Sequence, residues 1–226
     1  MPLSRRALVS PPDSLPWPAA WAQPAFRRSL LLSIGLLLLL AARLPPFFAY
    51  LQARPGVVLA DPLLAALPAH DVSLPTFILI YLSIGATLSY LLPRPRRLLH
   101  GLWAYLLLHL LRTLTLWLVP LDPPTGLLLL RDPLVDVFFY GGPAPITKDL
   151  FFSGHTATLF LLALAVPPRG WRWSLLAATA AVGALVLVQH AHYTYDVLAA
   201  PFFAGLSYWL AGRLVRRTVG FTRRSA

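Results

Sequence analysis

The sequence predicts an all-α integral membrane protein, a bundle of six transmembrane helices with both termini in the cytoplasm. Apolar residues make up 58% of the 226 residues, and the mean hydropathy of +0.68 lies far above that of soluble domains. Charged residues make up 12%, too few to coat a soluble surface. The apolar residues also fall into runs long enough to cross a bilayer, which needs about twenty residues per helix.

Each apolar run predicts one span, and the first is expected to be a retained helix rather than a signal peptide. That run is long, and the sequence Arg43-Leu44-Pro45-Pro46 offers no small-residue cleavage site. Pro45 and Pro46 are expected to bend this helix or end its regular part. The six spans are expected at residues 29–50, 74–92, 98–121, 150–166, 173–189 and 195–214.

The domain organisation follows from these spans. Residues 1–28 are rich in Pro and Arg and are expected to form a mobile cytoplasmic tail. Residues 29–214 form the six-span membrane domain, and residues 215–226 form a basic cytoplasmic tail. The loop 122–149 is long and partly apolar. We expect a re-entrant or interfacial piece there rather than a seventh span, in one of two short apolar stretches, 126–130 and 134–140.

The distribution of basic residues predicts the orientation, because Lys and Arg are enriched in cytoplasmic segments. With both termini inside, the outer segments hold three basic residues, Arg54, Arg131 and Lys148. Seven of the eight aspartates, all but Asp13, fall on the outer side or at its edge. The inner segments hold fourteen basic residues: Arg5, Arg6, Arg27, Arg28, Arg94, Arg96, Arg97, Arg169, Arg172, Arg213, Arg216, Arg217, Arg223 and Arg224.

The composition also excludes some functions and partners. The net charge of +11 is better explained by this membrane orientation than by nucleic-acid binding, because the arginines alternate between the ends of the apolar runs. The absence of cysteine excludes disulfides, thiolate nucleophiles and cysteine metal sites. One lysine against eighteen arginines, with no glutamate, favours a GC-rich bacterial genome and hence a bacterial inner membrane. The oligomeric state leaves no signal in the sequence.

Two short polar stretches at the outer membrane edge carry the candidate chemistry. In the first, His192 and Asp196 are four residues apart and are expected on one face of the helix that starts the sixth span. A carboxylate there would accept from one ring nitrogen and leave the other as a nucleophile or base. His190 would point elsewhere on a helix, so a metal site is not expected.

The second stretch, Ser153-Gly154-His155-Thr156, opens the fourth span. A helix start favours an anion, and glycine lets a ligand approach the backbone. His155 would lie near His192 if the two helices pack together. Two histidines and a carboxylate at one depth could carry phosphoryl chemistry on a lipid headgroup.

Arg112 lies among leucines in the third span, where a charge costs about 2.5 kcal/mol or more, so an anionic partner is expected. A phosphate, Asp196 and Asp149 are the candidates. Asp149 could equally be a helix N-cap. Other polar residues in the spans have structural explanations: His100 and His109 as packed, hydrogen-bonded residues, and Arg43 as a snorkelling one.

These motifs resemble those of a known family. Asp149-x3-Ser153-Gly154-His155-Thr156 and His192-Tyr193-Thr194-x-Asp196-Val197 are similar to the two signature motifs of the sphingomyelin synthase family, within the lipid phosphate phosphatase (type 2 phosphatidic acid phosphatase) superfamily. The resemblance covers residues 94–204. It implies six spans, an active site on the outer, periplasmic side, and no cofactor or metal.

The resemblance also implies roles for individual residues. His155, His192 and Asp196 would be the catalytic triad. The Lys-x6-Arg-Pro motif of the phosphatases is absent, since Arg54-Pro55 has Phe47 and Arg94-Pro95 has Thr87 at the lysine position. This departure favours the transferase branch, with Arg112 as the phosphate clamp. The substrate- and phosphate-binding candidates are Arg112, Asp149, Ser153, Gly154, Thr156 and Tyr193.

Three functions are therefore weighed. The first is transfer of a phospho-headgroup from a glycerophospholipid to a lipid alcohol such as ceramide, through a phospho-histidine. The second keeps the same site but uses water as acceptor, as in a lipid phosphatase or a phospholipase C-like hydrolase. The third is a non-catalytic lipid-binding membrane protein, in which changes to His155, His192 or Asp196 would alter binding or stability without any product.

Overall fold

The computed structural model describes residues 15–131 and 146–219, and within them it contains eight α-helices and no β-sheet. The helices are α1 Trp17–Trp21, α2 Pro24–Ala53, α3 Pro62–Ala66, α4 Ser73–Leu91, α5 Pro95–Leu118, α6 Gly154–Ala165, α7 Arg169–Val188 and α8 Thr194–Val219. The all-α architecture predicted from the sequence is confirmed.

Five of these helices, α2, α4, α5, α7 and α8, are long and apolar enough to cross a membrane. In place of the fourth expected span, 150–166, the structure has the shorter α6. Its 12 residues rise about 18 Å at 1.5 Å per residue, less than the hydrocarbon thickness of about 30 Å. The helix is short because residues 146–153 are non-helical and Pro167 and Pro168 follow its end. Six crossings with both termini inside remain a prediction.

The N-terminal region differs from the expectation. Helix α2 continues through Pro45 and Pro46 to Ala53, so these prolines do not end it. Residues 17–28, assigned to the tail by the sequence analysis, lie in α1 and at the start of α2. They are packed there, because the Trp17 indole donates to the Leu92 carbonyl at 2.7 Å and Phe26 is fully buried. Residues 1–14 lie outside the described part of the chain.

The core lies where α5, α6 and α8 meet. Helix α2 covers α5, and the two helices α4 and α7 cover α6. Small residues of α8 face it, which lets the helices approach closely. Large apolar side chains point outward instead, among them Leu38 on α2 and Phe202 on α8, which are 67% and 68% exposed. Such an outer surface suits lipid and not water. The core residues include Leu99, Trp103, Leu106, Ala157, Leu161, Ala200, Ala204 and Ala211.

A layer of loops covers the histidine end of the bundle. Residues 54–61 and 119–122 run side by side, with the Val57 N–H donating to the Pro120 carbonyl at 3.0 Å. Gly56 is required at this crossing, since a Cβ there would lie 2.5 Å from the Leu121 carbonyl carbon. The stretch 126–130 is a turn followed by extended chain, not a re-entrant helix. The second apolar stretch, 134–140, lies outside the described residues.

Candidate active site

Asp196 lies in the first turn of α8 and is 1% exposed. Its Oδ2 lies 3.2 Å from Nδ1 of His192 and accepts the Tyr193 backbone N–H at 3.1 Å. His192 itself precedes α8, in the turn that leads into it. The expectation that both residues share a helical face was therefore wrong, because the helix begins only at Thr194. The pair forms all the same, since the turn brings the ring back over the helix start.

The contact with Asp196 sets the chemistry of His192. A carboxylate accepts only, so this contact favours the tautomer with the proton on Nδ1 and the lone pair on Nε2. Both residues are nearly fully buried, with 4% and 1% of their surfaces exposed. The pair therefore holds a histidine with one basic nitrogen in a fixed orientation.

His155 is the second residue of α6, and its ring centroid lies 6.5 Å from that of His192. The Ser153 N–H donates to the Asp196 carbonyl at 3.0 Å, which joins the start of α6 to the start of α8. The ring of Phe77 on α4 meets the His155 ring edge-on, with the two ring centroids 5.6 Å apart. The structure thus brings together the three residues predicted as a triad.

Ser153 and Thr156 form the N-terminal cap of α6. Ser153 Oγ accepts the Thr156 N–H at 3.3 Å and the Thr156 hydroxyl at 3.0 Å, and both residues are buried. Their side chains are therefore occupied in capping. The helix dipole favours an anion at this start of α6.

Arg112 of α5 reaches the same helix start and is 6% exposed. Its Nη2 lies 2.6 Å from Asp149 Oδ2, and its Nη1 donates to the Phe152 carbonyl. A Cβ at Gly154 would lie 2.9 Å from Cζ of Arg112, so glycine makes room for the guanidinium. Of the anionic partners expected for Arg112, Asp149 is the one that it contacts in the structure.

Asp149 is therefore an ion-pair partner, and the N-cap of α6 is Ser153. Burial alone would raise the pKa of Asp149, but the Arg112 guanidinium brings that pKa below its ordinary value. The carboxylate is charged at neutral pH. Its Oδ1 is buried and has no hydrogen-bond partner among the described residues.

Tyr193 lies beside the pair and is 1% exposed. Its hydroxyl donates to the Asp122 carbonyl at 2.9 Å and accepts the Leu59 N–H at 3.1 Å. These contacts tie the covering loops to the start of α8. These contacts give Tyr193 a positioning role, and its contact with substrate stays a prediction.

Two further residues shape the site, Asp61, which the sequence analysis did not single out, and His190, whose contacts it did not predict. Asp61 accepts the Thr194 N–H at 2.6 Å and so caps α8. His190, with φ of 54°, places its two ring nitrogens 3.0 Å from the Thr125 and Leu67 carbonyls. An aspartate directly before a proline, as in Asp61-Pro62, is a typical helix N-cap pattern. No sequence pattern predicts the contacts between distant loops.

Comparison with known proteins adds one finding. Residues 148–213 match the family model described as PAP2 superfamily C-terminal. Comparisons with curated proteins and with solved structures found no match. The matched segment begins at Lys148 and contains Asp149, His155, His192 and Asp196, but not Arg112. This C-terminal segment of 66 residues, which carries the histidine pair, is similar to the PAP2 superfamily of phosphatase and phosphotransferase-type lipid enzymes.

Proposed function

We propose that the protein is a membrane phosphotransferase that moves a phospho-headgroup from a glycerophospholipid to a lipid alcohol such as ceramide. The main support is the buried contact of 3.2 Å between His192 Nδ1 and Asp196 Oδ2. The centroid of the His155 ring lies 6.5 Å from that of His192. One oriented nucleophile and one proton carrier are what a two-step transfer needs. The PAP2 match supports the phosphoryl chemistry.

In the first step, Nε2 of His192 attacks the phosphorus of the donor. A P–N bond forms as the P–O bond to diacylglycerol breaks, and protonated His155 gives its proton to the leaving oxygen. Asp196 stabilises the positive charge that develops on the His192 ring. The product is a phospho-histidine that still carries the headgroup.

The second step reverses these roles. Neutral His155 takes the proton of the acceptor hydroxyl, whose oxygen attacks the phosphorus. The P–N bond breaks, and the electron pair returns to Nε2 of His192. The enzyme is restored, and the headgroup now sits on the acceptor lipid.

Arg112 and the N-terminus of α6 would stabilise the negative charge of the transition state. The guanidinium lies against Gly154, next to the first N–H groups of the helix. Its ion pair with Asp149 fixes its position before substrate binds. In this proposal Ser153 and Thr156 act through the cap that holds the helix start, and Tyr193 through the loops.

A groove on α4 supports a lipid substrate rather than a soluble phosphate ester. Its volume is about 560 Å³, and its lining is apolar apart from Ser73 and Arg131 at one end. Phe77 belongs both to this groove and to the surroundings of His155. An acyl chain in the groove would therefore place its headgroup near the histidines. We place the site at the periplasmic face of a bacterial inner membrane, as the arginine distribution indicates.

Hydrolysis is the second candidate, because the matched superfamily includes phosphatases. The chemistry differs only in the second step, where water would replace the lipid alcohol. The choice depends on which acceptor can reach the phosphorus next to His155.

The test is product analysis by mass spectrometry. Purified protein receives mixed glycerophospholipids with and without ceramide. Transfer predicts diacylglycerol together with a new ceramide phospho-lipid, and the mass of that product names the headgroup. Diacylglycerol with free phospho-headgroup, whether or not ceramide is present, would replace the transferase by the hydrolase. The His192→Asn variant should form no product while expressing normally, and activity in that variant would reject the nucleophile assignment.

A further inference from the structure

A second polar cavity lies at the opposite end of the bundle, between α5 and α8. Its volume is about 260 Å³. Its nearest lining residues on the two helices, His100 and Tyr208, lie about 18 Å along α5 from Arg112 and about 18 Å along α8 from Asp196, at 1.5 Å per residue. It therefore does not belong to the histidine site. The lining residues are Arg96, Arg97, His100, Tyr208, Gly212, Val215 and Arg216.

The charged residues described around this cavity are all basic. Three arginines line it, and none of its described lining residues is acidic. The aspartates in the described part of the chain lie at the other end: Asp61, Asp71, Asp122, Asp149 and Asp196. Three guanidinium groups around one small cavity repel one another, and an anion between them would relieve that repulsion.

Two other arginines at this end lie against aromatic rings. Arg94 stacks on the Tyr90 ring, with Cζ 3.9 Å from the ring centroid. Arg213 stacks on Trp209, with Cζ 3.8 Å from the ring centroid. Neither of them lines the cavity, on which Arg96, Arg97 and Arg216 converge. The general excess of arginine at this end explains the charge of the region but not this convergence.

The space itself depends on Gly212. A Cβ at this position would lie 3.3 Å from both His100 Nε2 and Arg216 Nη1, tighter than ordinary contact. The His100 ring is fixed, because its Nε2 donates to the Tyr208 carbonyl at 2.9 Å and the ring stacks on Tyr208 at 4.1 Å. One wall of the cavity is thus rigid.

We infer that this cavity binds a phosphate-bearing anion, the headgroup phosphate of an anionic phospholipid or a free phosphate. Guanidinium groups bind phosphate through paired hydrogen bonds, and basic pockets between membrane helices bind anionic lipid headgroups. The site is separate from the proposed catalysis and needs no covalent step. Arg97 on α5 and Arg216 on α8 would each contribute one cation, so the bound anion would bridge the two helices.

Native mass spectrometry of the purified protein in neutral detergent tests this inference. The probes are phosphatidylglycerol, phosphatidylcholine and inorganic phosphate. We expect saturable binding of phosphatidylglycerol in preference to phosphatidylcholine. The double variant Arg97→Gln/Arg216→Gln should weaken this binding by about tenfold or more, because each arginine contributes to anion affinity. Phosphate that competes with phosphatidylglycerol would identify a phosphate site, and failure to compete would identify a lipid site.

The matched control is Arg213→Gln/Arg217→Gln, which removes the same charge from the same end of the molecule without touching the cavity. An equal loss of binding in this control would overturn the inference, since diffuse charge would then explain the affinity. Gly212→Ala keeps every charge but narrows the cavity, so it should also weaken binding. Equal binding of the two lipids, together with no binding of phosphate, would reject the site.

Discussion

Asp196 is the residue on which the orientation of His192 depends. Its Oδ2 serves two donors, the His192 ring and the Tyr193 backbone N–H. The second bond fixes the carboxylate before any substrate arrives. Orientation by a buried, pre-positioned carboxylate is a general way of holding a histidine in one tautomer.

Replacing Asp196 by Asn should therefore reduce turnover far more than stability. The amide keeps the size of the side chain but can present a donor to Nδ1, which favours the wrong tautomer. We expect kcat to fall roughly 10²–10⁴-fold, as for loss of a general acid–base partner. The measurement is product formation with the thermal unfolding temperature as control. An unchanged kcat would show that His192 does not depend on this carboxylate.

The Gly154→Ala substitution tests the contact between Arg112 and the start of α6. A Cβ would lie 2.9 Å from Arg112 Cζ, so the guanidinium would have to move. We expect kcat/KM to fall at least tenfold with normal expression, because the clamp would be displaced. Gly205→Ala is the matched control, since a Cβ at that helical position meets nothing within 4 Å. Similar activity in both variants would contradict the clamp.

Helix α8 is held at its start by a residue distant in sequence. Asp61 accepts the Thr194 N–H at 2.6 Å and the Thr194 hydroxyl at 3.0 Å, and it also caps α3 through the Leu64 N–H. One carboxylate thus anchors two helices. The anchored residue, Thr194, lies two residues before Asp196, so the position of Asp196 in the site depends on this contact.

Asp61→Ala should lower the free energy of unfolding by about 0.5–2 kcal/mol, the usual effect of losing a cap. Asp61→Asn should retain most of the stabilisation that the cap contributes. Asparagine is nearly as good a cap as aspartate because its side-chain oxygen still accepts. Chemical denaturation in detergent measures the difference. Equal losses in the two variants would point to charge rather than capping.

The pH dependence of stability follows from the same loop layer. Burial alone would raise the pKa of Asp61, but hydrogen bonds from Thr194 and Leu64 bring it below the ordinary 3.8. A hydrogen bond from Lys148 lowers the pKa of Asp122 as well. Because both carboxylates are protonated less readily when folded, their stabilisation is present above about pH 4 and is lost as pH falls through the lowered pKa values.

Thermal unfolding in detergent between neutral and acid pH measures this effect. The wild-type unfolding temperature should be nearly constant down to about pH 4 and then fall. Asp61→Asn should show a shallower decline, since one titrating group is gone. A wild-type curve that fell between pH 7 and 5 would contradict the assignment to these carboxylates.

Hydrophobic run length predicted most of the helices, because five of them are long and apolar enough to cross a membrane. It could not predict how much of the apolar run 150–166 would be helix. Residues 146–153 are not helical, and within them Lys148 pairs with Asp122 and Asp149 pairs with Arg112. These tertiary contacts override local propensity.

In the candidate site as well, contacts within a short stretch of sequence could be predicted better than contacts between distant residues. The spacing of His192 and Asp196 predicted their contact, although a turn and not a helical face produces it. The burial of Arg112 among leucines predicted an anionic partner, and the structure identifies Asp149. The double cap by Asp61 joins residues 133 positions apart, which spacing within one sequence does not reveal.

At the scale of the whole molecule, the bundle has two chemically different ends. The end with the histidines carries the described aspartates and the loop layer, and the other carries the arginine-lined cavity. The positive-inside rule then predicts that the histidine end faces the periplasm.

Labelling of single cysteines tests this orientation, and the chain offers a clean background because it has no cysteine. Thr125 and Arg169 are exposed and lie near opposite ends of α7. A membrane-impermeant maleimide should label Thr125→Cys in spheroplasts, but Arg169→Cys only after lysis. The reverse pattern would place the histidines in the cytoplasm.

The central claim is that His192 carries the headgroup during turnover, and the most direct measurement is to trap it there. Purified protein is incubated with mixed glycerophospholipids without acceptor, quenched in alkali, which preserves a P–N bond, and analysed by peptide mass spectrometry. We expect a phospho-headgroup mass on the peptide containing His192, which disappears when a lipid alcohol is added and never forms in His192→Asn. An active preparation that carries the adduct on His155, or on no histidine, would rule out His192 as the nucleophile.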